Sequence, residues 1–88
     1  MTAWKLLFTK RASEDAIKLA QIGLKSKAQK LLEVIAQNPY QIPPPFEKLV
    51  NVKGTYSRRI DIRHRLVYEV RKDERLLIVK MMYKHYGR

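Results

Sequence analysis

The 88-residue sequence holds a small set of side chains that could move protons around a phosphate: Glu47, the arginines Arg58, Arg59 and Arg65, and His85 followed by Tyr86. Cutting RNA without a metal requires three things. A base takes the proton of the 2′-hydroxyl, an acid protonates the departing 5′-oxygen, and a cation stabilises the phosphorane between them. Glu47 can serve as the base, and His85 can serve as an acid because an unperturbed imidazole titrates near neutrality. Arg58, Arg59 or Arg65 can clamp the phosphate through paired N–H donors. Each also has an ordinary role open to it. Glu47 next to Lys48 reads more readily as a solvated surface carboxylate or half of a weak ion pair, and Arg65 could pair across strands with Glu69 or Asp61. His85 so near the end of the sequence could be an exposed side chain, Tyr86 could pack a hydrophobic edge, and His64 reads as a turn histidine. On residue types alone, a basic nucleic-acid-binding module and a nuclease both stay open.

These side chains need a sheet to present them. From Ile60 to Val70 the apolar residues Ile60, Ile62, Leu66, Tyr68 and Val70 are even-numbered, whereas Arg59, Asp61, Arg63, Arg65, Glu69 and Arg71 are odd-numbered. A period of two gives strands with one apolar face and one face crowded with guanidinium groups. Arg63-His64 joins two of these strands, Lys72-Asp73-Glu74 forms the next hairpin tip, and the last strand runs from about Leu76 to Tyr83. The apolar face needs a cover, which the first half of the chain supplies. Trp4 to Phe8 reads as a strand, Thr9 as an N-cap, and Ala12, Ala16, Leu19, Ala20 and Gly23 as the stripe of a first helix. Gly23 stops that helix. Ser26 and Gln29 have capping-box spacing at the start of a second helix carrying Ala28, Leu31, Leu32 and Ile35, which halts before Asn38-Pro39. Pro39, Pro43, Pro44 and Pro45 make a stiff, extended connector that delivers Phe46-Glu47-Lys48-Leu49 to the sheet. The expected architecture is α+β and a single domain over residues 1–88: an N-terminal strand, a helical hairpin, then antiparallel strands in a twisted sheet with both helices on one face.

Composition narrows the partners. The formal charge is +11, and most of the 19 basic residues lie from Pro44 onward. Such a field selects a polyanion, with nucleic acid the first candidate and anionic lipid or an acidic protein the others. There are no cysteines and two histidines, which disfavours a structural metal, and neither a serine or cysteine triad nor a glycine-rich phosphate loop is present. No apolar run approaches the roughly 20 residues that cross a bilayer, and no signal-peptide pattern opens the chain, so the expected address is the cytoplasm.

The words Tyr56-Ser57-Arg58-Arg59-Ile60, His64-Arg65-Leu66-Val67-Tyr68 and Tyr83-Lys84-His85-Tyr86, together with Phe46-Glu47-Lys48-Leu49, closely resemble the YoeB (Txe/YoeB) group of bacterial toxins in the RelE superfamily. The resemblance implies a RelE-like fold and a toxin of a type II toxin-antitoxin system. It further implies a messenger-RNA endoribonuclease that acts in the decoding site of the 70S ribosome by 2′-hydroxyl attack, with no metal and no cofactor. It places the general base on Glu47, the phosphate-stabilising arginine on Arg65, the general acid on His85 and a substrate-orienting tyrosine on Tyr86. Arg58, Arg59, Lys48, Lys53 and Lys84 would contact RNA. The implied partners are an acidic, YefM-like antitoxin, the ribosome with its message, no membrane, and a homodimer as an open possibility. A lysine that some relatives carry three residues beyond the glutamate is Val50 here, and Gly87-Arg88 follow the tyrosine. The other reading is a ParE-like toxin acting on DNA gyrase, or a plain nucleic-acid binder.

Overall fold

The computed structural model describes residues 3–83. β1 (Lys5–Phe8) leads into α1 (Lys10–Gln21) and α2 (Lys25–Gln37), and then come β2 (Phe46–Lys48), β3 (Thr55–Arg59), β4 (Arg65–Arg71) and β5 (Leu76–Met81). The five strands form one sheet in the order β1-β5-β4-β3-β2, antiparallel except for the parallel β1–β5 pair.

Local chemistry fixes the helical hairpin. Thr9 caps α1, its Oγ1 accepting from the Ala12 N–H at 3.1 Å and donating to the Lys80 carbonyl at 3.0 Å, which ties the helix start to β5. At the other end Gly23 takes φ +81°, with Leu24 N–H on the Leu19 carbonyl and Gly23 N–H on the Ala20 carbonyl. That pair of bonds is the Schellman stop, and it requires a residue that tolerates left-handed backbone. The expected Ser26 capping box does not form. Helix α2 already starts at Lys25 with Leu24 as its cap and no side-chain cap bond, so Ser26 lies inside the first turn. Asn38 ends α2 in extended backbone, and its Oδ1 accepts from the Tyr40 N–H at 3.0 Å. The proline connector turns at residues 39–40 and bends again at 42–44, so it is not the extended rod that its prolines suggest.

Both helices cover one face of the sheet. Ala12, Leu19, Ala28, Leu31 and Ile35 pack on Leu66, Tyr68, Leu77, Val79, Ile60 and Met82. Burying each large side chain contributes about 1.5–3 kcal/mol, so this cluster is the main source of stability in so short a chain. A bulge shapes the end of β5: Val67 pairs with Met81 but Tyr68 pairs with Val79, leaving Lys80 as the extra residue. The register change returns Met82 to the helix side. There its N–H donates to Oδ2 of buried Asp15 at 3.1 Å. Asp15 thus anchors the chain leaving β5.

Candidate active site

The face turned away from the helices carries Glu47, Arg59 and Arg65. Glu47 on β2 lies directly opposite Ser57 on β3, Ser57 opposite Val67 on β4, and Val67 opposite Met81 on β5. Arg59 lies opposite Arg65 one step along the same face. Because alternate residues share a face, these odd-numbered positions of β2, β3 and β4 all project to the open side. The arginine-rich face expected from periodicity is therefore present, and Glu47 has joined it through a three-residue edge strand that the sequence pattern did not reveal.

Glu47 and Arg65 meet there. Arg65 Nη1 donates to Glu47 Oε1 at 3.1 Å and to Ser57 Oγ at 3.2 Å. The two partners of this ion pair differ in exposure: the Arg65 side chain is 13% exposed and that of Glu47 is 68% exposed. A pair with one end in water contributes at most about 1 kcal/mol and exchanges readily for another anion. Pro45, Phe46, Glu47, Ser57, Arg59 and Arg65 line a cleft of about 250 Å³. The cross-strand partners considered for Arg65 are engaged elsewhere. Glu69 pairs with Arg71 at 3.1 Å and Lys80 at 3.4 Å, and Asp61 pairs with His64 at 2.9 Å.

Arg58 departs from expectation. It projects to the helix side opposite Leu66 and is fully buried. Its Nε donates to the Tyr68 hydroxyl at 3.0 Å, Nη1 to the Pro44 carbonyl at 2.6 Å and Nη2 to the Pro39 carbonyl at 3.0 Å, with the Phe46 ring centroid 4.8 Å from the guanidinium carbon. A guanidinium fixed this way pins the proline connector to the sheet and has no surface from which to contact RNA. Burial pushes the Tyr68 hydroxyl above its ordinary range, with the neighbouring Arg58 opposing, and the protonated hydroxyl donates to the Pro39 carbonyl at 2.7 Å.

The remaining expected residues are scattered. Lys48 is exposed but lies opposite Tyr56, on the other face from Glu47. Lys53 is exposed in the 49–54 loop, and Val50 is 95% exposed. His64 closes the 60–64 turn with its Nδ1 2.9 Å from Asp61 and its ring 5.0 Å from that of Tyr83. Lys84, His85 and Tyr86 lie outside the described residues. Reading by residue type overlooked Ser57, whose only signal was an odd number within an otherwise arginine-rich strand.

Residues 8–86 match the family described as YoeB-like toxin of bacterial type II toxin-antitoxin system. This chain belongs to the YoeB toxin family. It is 34% identical over 85 residues to Toxin YoeB of Streptomyces coelicolor, covering 93% of this chain and 99% of that one. A YoeB/ParE toxin from Agrobacterium tumefaciens superposes with a TM-score of 0.84 at 27% identity, over 93% of this chain and 99% of that chain. The toxin chain matched in a Staphylococcus aureus YoeB-YefM complex gives 0.77 at 32% identity, over 94% and 98%. The YoeB-family match makes this chain a toxin of a type II system. Its two helices and mixed sheet are those of the RelE/YoeB-type structures. Among the described residues no helix is long and apolar enough to cross a membrane.

Proposed function

We propose that this YoeB-family toxin is a ribosome-dependent messenger-RNA endoribonuclease. The observation that carries the reading is the Glu47–Arg65 pair in a cleft on the cationic face, a carboxylate base and a phosphate-binding cation within one hydrogen bond of each other. In the reaction, Glu47 accepts the proton of the ribose 2′-hydroxyl as O2′ attacks phosphorus. The P–O5′ bond breaks, leaving a 2′,3′-cyclic phosphate. His85 gives its proton to O5′, Tyr86 orients the substrate, and Arg65, seconded by Arg59, holds the charge that builds on the phosphorane. Reach is compatible with this division of labour. The row Glu47–Ser57–Val67–Met81 crosses three strand spacings, roughly 14 Å. The four residues from Met81 to His85 span at most a similar distance, roughly 13–14 Å.

The +11 charge suits two anionic partners, the ribosome with its message and an acidic antitoxin. An antitoxin of the YefM kind, which the Staphylococcus aureus relative carries in its solved complex, would fold an acidic segment over the same face.

Messenger-loaded ribosomes test the reading. Purified toxin should cut the message only when ribosomes are present, leave 2′,3′-cyclic phosphate ends, and fail on a message carrying a single 2′-deoxynucleotide at the cut site. Intact message together with blocked DNA supercoiling would instead establish a gyrase-directed toxin. Cleavage of the 2′-deoxy message would overturn the mechanism.

A further inference from the structure

Glu47 and Arg65 neutralise each other in the free protein, yet catalysis needs both released. An N–H spent on Glu47 is not aimed at a phosphate. A phosphodiester that takes up this donor displaces Glu47 from Arg65. Of the two acceptors on Arg65 Nη1 among the described residues, Glu47 is mostly in water and can swing away. Ser57 cannot. It sits in the middle of β3, is 1% exposed, and is flanked by Glu47 on one strand and Val67 on the other. Its oxygen lies 3.2 Å from the same Nη1. Being neutral, it also leaves the guanidinium charge intact for the phosphate. An acidic residue at this position would hold the arginine as firmly and cancel the charge it presents.

Resting on the nuclease reading above, we propose that Ser57 is a positioning residue that keeps Arg65 aimed into the cleft while Glu47 leaves it to act on the 2′-hydroxyl. The proton chemistry is unchanged, because Ser57 neither gains nor loses a proton in this role.

Cleavage kinetics on messenger-loaded ribosomes test this. Ser57→Ala should lower the rate constant of cleavage about 10- to 100-fold, as loss of pre-organisation does, with little change in the concentration giving half-maximal rate or in the melting temperature. In an Arg65→Lys background, where the planar fork is already gone, the same change should add almost nothing. Should the alanine chain fail to fold, Ser57→Cys retains the size of the side chain and replaces a strong acceptor with a weak one, giving the same comparison. Wild-type kinetics in the serine variant, or a full loss repeated in the Arg65→Lys background, would overturn the proposal. Glu47→Gln and Arg65→Ala run in parallel separate the two levels. If the parent leaves the message intact, the nuclease reading itself fails; if the parent and these two variants all cut normally, the placement of the site on Glu47 and Arg65 fails. If the two variants are inactive while Ser57→Ala is not, only the role of Ser57 falls.

Discussion

Arg58 and Arg65 are both strand arginines of the same small sheet, and they have opposite fates. Arg58 lies under the proline connector, with two backbone carbonyls, a tyrosine hydroxyl and the Phe46 ring around it. Arg65 lies on the other face, sharing one nitrogen between a buried hydroxyl and a solvent-exposed carboxylate. The first guanidinium is held by partners that cannot leave, so it is structural. The second has one partner that can leave, so it can exchange an internal anion for a phosphate. What distinguishes them is which side of the sheet each faces and whether its partners are fixed.

Substitution of the two arginines should therefore separate stability from activity. Arg58→Ala takes the donor from the Pro44 carbonyl and the Tyr68 hydroxyl and one of two donors from the Pro39 carbonyl beneath the connector. The expected cost is about 3–5 kcal/mol, a large share of the stability of a domain this size, so the protein should unfold at a markedly lower denaturant concentration or fail to accumulate. Arg65→Ala should melt close to the parent, since a pair with an exposed partner contributes about 1 kcal/mol or less. Its cleavage of ribosome-bound message should drop about 10²- to 10³-fold, the usual effect of deleting a group that stabilises transition-state charge. A stable Arg58→Ala protein, or an unstable Arg65→Ala one, would dissolve the contrast.

A smaller change sharpens it. Tyr68→Phe removes one hydroxyl that accepts from Arg58 and donates to Pro39. Leaving those two buried groups partly unsatisfied should cost about 1–3 kcal/mol, read as a shift in the chemical-denaturation midpoint. Cleavage per folded molecule should be unchanged, because this network lies on the face opposite the cleft.

Much of the fold was legible because its signals are local. Thr9, Gly23 and Asn38 each punctuate the chain through their own backbone or side-chain chemistry. The alternation of Leu66 and Tyr68 with Arg65 and Glu69 told the two faces of β4 apart. What was not legible depends on partners distant in sequence. Strand β2 is three residues long and exists because Glu47 and its neighbours find β3 to pair with, while β1 joins β5 in parallel across the whole length of the chain. The side taken by Arg58 was recoverable in principle. Its even number matches Leu66 and Tyr68, but beside Arg59 its residue type suggested a shared role. Ser57 was hidden for the opposite reason: on the right face, it did not look like catalytic chemistry.

The gentlest test lies at the 60–64 turn, the hinge between the strands that carry Arg59 and Arg65. Asp61 is partly desolvated, which taken alone would raise its carboxyl. The His64 side chain and the backbone N–H groups of Arg63 and His64 outweigh that and hold it below the ordinary carboxylate range. Its Oδ1 accepts from both N–H groups at 2.8 Å and faces His64 Nδ1 at 2.9 Å. A carboxyl whose folded pKa lies below its unfolded value stabilises the protein above the unfolded value and loses that contribution as pH falls through the folded one. Melting temperatures of the parent and of Asp61→Asn should therefore differ near pH 5 and converge as the pH drops below about 4. A gap that stays constant to pH 2 would mean that the turn is held by its geometry and not by the charge, and that the hinge between the two arginine-bearing strands needs no carboxylate.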